Sequence, residues 1–305
     1  MAWQDVIGDG VPRIAESPLE SARFGRPVER LTVPAGSGSS FPSVREAVLG
    51  SEADVIVLRY PAEHVGWFAE LTTLGRTAVF ADSLTYWRLY AGRGRAPEPP
   101  GDLQVTERVT PAVVRESISD CFATYRNHYL ANPLFDAAGA LAGYREWALR
   151  SAAEGKCLVI RRRGTGGDAD PDAPPDATPA PDAARDKTSD PDATPGGTPV
   201  PDAAPDPGAA PDGILGLATF SDDDLRMEIL LAGVNSRVRG RGLYAHLLAA
   251  LERRALALGL REIVTSTQAH NTGGQRAWVR YGFEPVHAFL TVHLIRSPLP
   301  RGGRR

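Results

Sequence analysis

The sequence predicts an α/β (α+β) chain: a mixed central sheet flanked by helices, preceded by a small α/β subdomain. Three observations carry that reading. Beyond residue 100 the chain reads as two helices, a hairpin and a long strand, then helix, strand, helix and strand. A long amphipathic helix in that series opens behind glycines and ends at Gly259. A length of 305 residues, with 42 % apolar and 23 % charged residues, suits a globular protein of two domains.

The first 100 residues look separate. They contain a strand at Asp54–Tyr60, a helix at Ala62–Leu74 and a strand at Thr77–Tyr86, with the proline-rich RAPEPPGD as a hinge. They show no catalytic constellation. The second domain runs over 101–298. Thr110–Tyr125 carries apolar residues at helical spacing behind Thr-Pro, a good cap and first-turn pair, and Leu141–Ala152 is a second helix. Residues 164–213 are almost entirely Pro, Asp, Ala, Gly and Thr, with PDA recurring; such a segment cannot offset its ordering entropy by burial and is expected to be disordered. KCLVIRRR and GILGLATFS on either side read as strands, so the insert is an overgrown hairpin loop and the domain closes across it. Strand Arg226–Val234, helix Gly242–Leu258, strand Glu262–Thr267, helix Thr272–Tyr281 and a strand around Pro285–Ile295 follow, and 299–305 is a basic tail.

A net charge of −3 gives no reason to expect nucleic acid or a membrane surface as partner. Two widely spaced cysteines, Cys121 and Cys157, make neither a disulfide framework nor a metal site, which points to a reducing cytoplasm. The opening residues do not read as a signal peptide, and no stretch approaches the roughly 18 apolar residues of a membrane span.

The chemistry is concentrated in GVNSRVRGRGLYAHLL. Arg237, Gly240 and Gly242 fit R/Q-x-x-G-x-G/A, with a strand before and a helix after. Glycines let backbone curl round a ligand, and the N–H groups of a helix's first turn point outward with the positive end of the dipole. Together they make a pyrophosphate cradle, to which Arg239 and Arg241 add charge. Gly240, Gly242 and Ala245 also satisfy G-x-G-x-x-G/A, but a dinucleotide site fails on context. Glu262 begins a strand where the acidic residue should end one, and too little chain remains for a doubly wound sheet. A P-loop is excluded because no Gly-Lys-Ser/Thr follows.

This stretch resembles motif A of the GNAT superfamily of N-acetyltransferases. NTGGQRAWVRYGF, in which Asn271 lies 11 residues before Gly282, resembles its motif B. The resemblance implies a GNAT fold, acetyl-CoA as co-substrate and direct attack of an amine on the thioester. It places the pantetheine arm beside Gly233 and Val234, the pyrophosphate on Arg239, Gly240, Arg241, Gly242, Leu243 and Tyr244, and Asn271 against the cofactor arm. Glu228 occupies the strand position where many relatives carry a base. The chain departs from the family at the acid: the usual tyrosine position holds Trp278, which packs against the cofactor arm. Tyr244, Tyr281 and Tyr129 remain candidate proton donors.

YRNHYLANPLF supplies His128, Tyr129 and Asn132 as acceptor-pocket residues, and Gln268 and His270 end a strand near the expected reaction centre. No histidine pair has metal-ligand spacing, so no metal is implied. The two-part layout, with FGRPVERL and VIVLRYPAEHVGWFAEL, is similar to dTDP-fucosamine acetyltransferases, which implies an amino-sugar or other small-molecule amine as acceptor. Peptide or antibiotic acetylation, and a non-catalytic acyl-CoA sensor, are the alternatives.

Overall fold

The computed structural model describes residues 3–163 and 214–296, apart from 9, 37 and 39. The insert at 164–213 and the tail at 299–305 lie outside the described residues. The first half runs α1 (Trp3–Ile7), β1 (Arg13–Glu16), α2 (Pro18–Phe24), β2 (Val28–Thr32), α3 (Phe41–Gly50), β3 (Val55–Pro61), α4 (Trp67–Leu71) and β4 (Thr77–Tyr90). It continues with β5 (Leu103–Thr106), α5 (Pro111–Phe122), α6 (Ala137–Ala153), β6 (Cys157–Arg162), β7 (Ile214–Asp222) and β8 (Arg226–Val234). The chain then forms α7 (Leu243–Ala257), β9 (Glu262–Gln268), α8 (Thr272–Tyr281) and β10 (Glu284–Ile295). No helix of the described residues is long and apolar enough to cross a membrane.

Local chemistry explains most boundaries. The Thr110 side chain accepts from Val113 N–H and Pro111 fills the first turn of α5, where its missing N–H costs nothing. Asp136 caps α6 on Gly139 N–H, and Asn271 caps α8 on Gly274 N–H at 3.2 Å. Gly259, at φ 74°, ends α7 in the left-handed conformation that costs other residues about 1 kcal/mol or more. The helix expected over Ala62–Leu74 is instead broken into a 3-10 turn, Ala62–His64, and α4. Gly66 interrupts it, and Trp67 stacks on His64 with ring centroids 4.2 Å apart.

All ten strands form one sheet, ordered β1-β2-β3-β10-β4-β9-β8-β7-β6-β5. The division near residue 100 therefore does not divide the sheet: β3 and β4 both pair with β10, and β4 also pairs with β9. Two parallel pairs, β2/β3 and β8/β9, sit symmetrically about the β10/β4 centre. Each belongs to a strand–helix–strand–helix–strand run, β2-α3-β3-α4-β4 and β8-α7-β9-α8-β10. Each run ends by inserting its last strand beside the other's parallel pair. The chain is thus built on a pseudo-twofold exchange of long strands.

Apolar residues fill both faces. Trp87, Phe220, Met227, Ile229 and Phe283 pack under α7 and α8, while Val159, Leu217 and Leu231 pack under α5 and α6. Leu31, Ile56, Leu58, Val292 and Leu294 form the core beneath α3 and α4. Strands β6 and β7 pair from Cys157↔Thr219 to Arg161↔Ile214, so the hairpin across the insert is closed. Deleting residues 165–211 is expected to leave soluble protein whose thermal midpoint, followed by circular dichroism, moves by less than about 4 °C. Insoluble protein would show that the insert contributes to the core.

Candidate active site

The site begins where two strands part. Strands β8 and β9 pair in parallel from Arg226↔Glu262 to Ile229↔Thr265, and no ladder partner follows on that edge among the described residues. A bulge in β8 opens the gap: Phe220 pairs with Ile229 and Thr219 with Leu231, leaving Leu230 as the extra residue. The Thr265 hydroxyl donates to the Ile229 carbonyl at 3.3 Å and closes the paired segment. Gly233 and Val234 lie on the parted stretch, with Ser266–Gln268 opposite. Gly233 must be small, because a Cβ there would meet Cys121 Cβ at 2.8 Å. Burial pushes the Cys121 thiol up to about 12, so it packs α5 against β8 and stays protonated.

The chain leaves β8 through a 3-10 turn, Ser236–Val238, whose start Asn235 caps by accepting from Arg237 N–H at 3.0 Å. Gly240 and Gly242 then take φ of 81° and 77°, and Gly242 is the cap residue of α7. The first helical bond runs from Ala245 N–H to the Gly242 carbonyl, so the N–H groups of Leu243 and Tyr244 lie ahead of the ladder. Arg239 departs from the expected role: its guanidinium bonds the Cys121 carbonyl at 3.1 Å and the Val234 carbonyl at 3.4 Å. It braces the turn against α5. Arg237 and Arg241 are exposed.

The glycine turn, the gap and the face beneath α5 and α6 border one cavity of about 1360 Å³. That exceeds the roughly 300–1,000 Å³ of a usual small-molecule pocket, which suits two ligands meeting inside it. Its wall includes Gly233, Val234, Gly240, Gly242, Leu243, Tyr244, Asn271 and Trp278, together with Glu228, Gln268, His270, His128 and Tyr129.

Individual side chains sort further. Glu228 is half-buried and its Oε2 accepts the Trp3 N–H at 3.0 Å. Tyr244 accepts a hydrogen bond from Trp278 Nε1 at 3.0 Å, and burial pushes its phenol up to about 12. Asn271 Nδ2 donates to Thr267 Oγ1 at 2.9 Å, and the Tyr125 hydroxyl donates to Gln268 Oε1. Tyr129 bonds Glu20 and Arg30, and His270 is exposed. Two expectations are corrected. Tyr281 does not border the cavity; it donates to Glu252 at 2.6 Å inside the core and is withdrawn as a proton donor. Asn132 is fully buried, accepts from Leu134 N–H at 3.0 Å and shapes a turn.

Sequence reasoning missed Arg59, Leu84, Tyr86, Tyr125 and Tyr144, which also border the cavity. Arg59 comes from β3 and Leu84 and Tyr86 from the exchanged strand β4, and no local pattern announces a partner so far along the chain. Among the described residues no three His, Cys, Asp or Glu side chains gather as a metal site.

Residues 172–283 match the model of the Acetyltransferase (GNAT) family. That segment is similar to the GNAT family, and solved GNAT proteins share the fold of the chain. A GCN5-related N-acetyltransferase from Sphaerobacter thermophilus superposes with a TM-score of 0.53 at 12 % identity, over 94 % of this chain and 78 % of that one. A tandem GNAT protein from the clavulanic acid biosynthesis pathway gives 0.50 at 12 % identity, over 90 % and 77 %. A Drosophila protein gives 0.54 at 12 % identity, over 88 % and 71 %. At such identities the likeness is one of fold. A comparison with curated proteins finds no match. Acyl transfer from acetyl-CoA is the general chemistry of the GNAT family.

The cradle and the buried histidines each yield a test. Gly240→Asp imposes a strained φ and a negative charge on the glycine turn, and should weaken acetyl-CoA binding at least tenfold by calorimetry. His128 Nδ1 lies 2.9 Å from His293 Nε2. Burial, reinforced for His128 by His293, lowers both, His293 to about 4. The unfolded chain therefore binds more protons below about pH 6.5, so this stability is present above 6.5 and lost as pH falls toward 4. Unfolding free energies should drop by ~2–3 kcal/mol across that window. A flat profile in wild type would overturn the assignment.

Proposed function

We propose that the chain is an acetyl-CoA-dependent N-acetyltransferase acting on a small-molecule primary amine, with an amino sugar or sugar nucleotide as the foremost acceptor class. The observation that carries this reading is the single cavity joining the glycine turn, the β8/β9 gap and the polar face that holds Glu228. Backbone N–H groups from Gly240 to Tyr244 would hold the pyrophosphate, the parted edge at Gly233 and Val234 would pair with the pantetheine arm, and Asn271 would flank it.

Acetyl-CoA supplies a thioester carbonyl and a sulfur leaving group. Glu228 accepts the proton that the acceptor nitrogen sheds as its bond to the carbonyl carbon forms. Its carboxylate is aimed by the Trp3 N–H. Tyr244 returns a proton to sulfur as the C–S bond breaks. A phenol near 12 stays protonated at neutral pH, as a donor must. Trp278, where relatives carry a tyrosine, fixes the Tyr244 hydroxyl through its indole N–H. The donor has thus moved from α8 to the first turn of α7.

Incubating protein, acetyl-CoA and an amine panel should release free thiol in proportion to acetylated product. Glu228→Gln and Tyr244→Phe should each lower kcat about 10²-fold with acetyl-CoA affinity unchanged. Tyr281→Phe should leave kcat near wild type. Acetyl-CoA binding without thiol release from any amine would replace this reading with that of a non-catalytic acyl-CoA sensor.

A further inference from the structure

Four polar side chains form one hydrogen-bonded run at the end of β9: Asn271, Thr267, Tyr125 and Gln268. All but Thr267, which is buried between them, are also in the wall of the cavity together with it. The run starts at Asn271. The Gly274 N–H that Asn271 caps can only donate, so Oδ1 faces it at 3.2 Å. That leaves Nδ2 as the donor, and it gives to Thr267 Oγ1 at 2.9 Å. The Thr267 hydroxyl lies 3.1 Å from that of Tyr125, and the Tyr125 hydroxyl bonds Gln268 Oε1.

Each hydroxyl has one proton to give, which sets the direction of the run. Were Tyr125 to donate to Thr267 and accept from Gln268 Nε2, the Thr267 proton would have no acceptor, because its hydroxyl bonds Asn271 and Tyr125 alone. A buried donor left unpaired is costly. The opposite direction satisfies every group: Thr267 gives to Tyr125, and Tyr125 gives to Gln268 Oε1. Burial raises the Tyr125 phenol, so its proton stays in place at neutral pH. The orientation of the Gln268 amide is therefore fixed by a helix cap three groups away. Its backbone is held as well, since it pairs with Leu84 and its carbonyl accepts from Asn271 N–H at 2.9 Å. With Oε1 taken, Nε2 is the free end. It has no hydrogen-bond partner among the described residues, and it is not sealed in the interior. Gln268 thus presents two N–H donors to the cavity and no acceptor.

We propose that Gln268 is a specificity-determining donor of the acceptor site, held by Asn271, Thr267 and Tyr125 so that it hydrogen-bonds a hydroxyl or phosphate oxygen of the acceptor. An ammonium group offers only donors and finds no partner there. Glu228 pairs with Val264, four residues before Gln268, and by alternation the three share a face. The acceptor therefore lies along β9 with its oxygen at Gln268 and its amine toward Glu228. Tyr125 and Thr267 are positioning residues that act through Gln268. The assignment deepens the acyl-transfer reading and rests on it for the fate of the amine. A site built to bond a substrate oxygen rejects the analogue that lacks it, because its own donor is then left unpaired.

The test uses the full chain and calorimetry, with glucosamine, glucosamine 1-phosphate and cyclohexylamine, a ring amine without oxygen. Wild type should bind glucosamine about tenfold or more tighter than cyclohexylamine. Tighter binding of glucosamine 1-phosphate would assign the recognised oxygen to a phosphate, and equal binding would assign it to a hydroxyl. Gln268→Met, similar in shape and without a donor, should bind glucosamine about tenfold more weakly and cyclohexylamine as wild type does. Tyr125→Phe and Thr267→Val should each weaken glucosamine about fivefold by freeing the amide to turn, and Thr267→Ser, which keeps the hydroxyl, should restore it. The proposal is overturned if wild type binds glucosamine no better than cyclohexylamine, or if Gln268→Met keeps the preference. It is overturned too if Thr267→Ser loses as much affinity as Thr267→Val, since Thr267 would then supply packing and no proton. Should Gln268→Met fail to fold, an undiminished preference in Tyr125→Phe overturns it instead. Failure of wild type to bind acetyl-CoA would sink the acyl-transfer reading alone and leave the oxygen preference legible.

Discussion

The pairing of β4 with β10 is the contact on which the rest of the molecule depends. These are the two longest strands, and they run antiparallel from Thr77↔Ile295 to Arg88↔Glu284. Without β4, strand β9 would present a bare edge; without β10, β3 would. Unpaired edges invite association with other chains, and exchange of the last strand between two halves removes both at once. The exchange has a functional consequence. It brings Leu84, Tyr86 and Arg59 to the cavity that Glu228 and Gln268 also border, so the wall of the cavity is made by both halves. A truncated C-terminal half would lose one wall of its site along with the strand that completes its sheet.

The two halves share a plan and differ where a ligand would enter. Strands β2 and β3 remain paired over the whole length of β2, from Val28↔Val55 to Thr32↔Arg59, and Val33 N–H continues the ladder to the Arg59 carbonyl. Strands β8 and β9 part after Ile229, where β8 carries its bulge. The helices that follow differ in the same sense. Helix α3 opens with Pro42, which lacks the N–H that an anion would use, whereas α7 opens behind Gly242 in the left-handed conformation. A gap and a donor-rich turn coincide in one half only, and the cavity lies there.

Much of this was legible in the sequence wherever the information is local. Strand Arg226–Val234 and helix Thr272–Tyr281 fall where periodicity and caps put them. The caps at Thr110 and Asn271 and the end of α7 at Gly259 follow from the chemistry of those residues alone. What the sequence concealed is non-local. Strand β4 runs to Tyr90, beyond its apolar alternation, because β9 offers it partners as far as Glu262. Tyr281 stood as a candidate proton donor near motif B and turns inward, where Glu252, 29 residues earlier, accepts its hydroxyl. Arg239 looked like a phosphate ligand by spacing, yet two carbonyls lie within its reach. In each case a tertiary partner overrode the local pattern.

The same long-range logic ties the chemistry to the scaffold. Trp87 on β4 packs against Trp278 on α8, with ring centroids 5.9 Å apart and planes at 60°. Trp278 in turn donates to the Tyr244 hydroxyl, and Tyr244 stands two residues past Gly242 in the first turn of α7. A line of rigid aromatic contacts therefore runs from the exchanged strand to the glycine turn. Rings with few rotatable bonds lose little entropy when held, so such a line fixes position at small cost. It also explains how a tryptophan can stand where relatives carry a tyrosine. The indole fixes the position of the neighbouring phenol, whose proton is kept by burial.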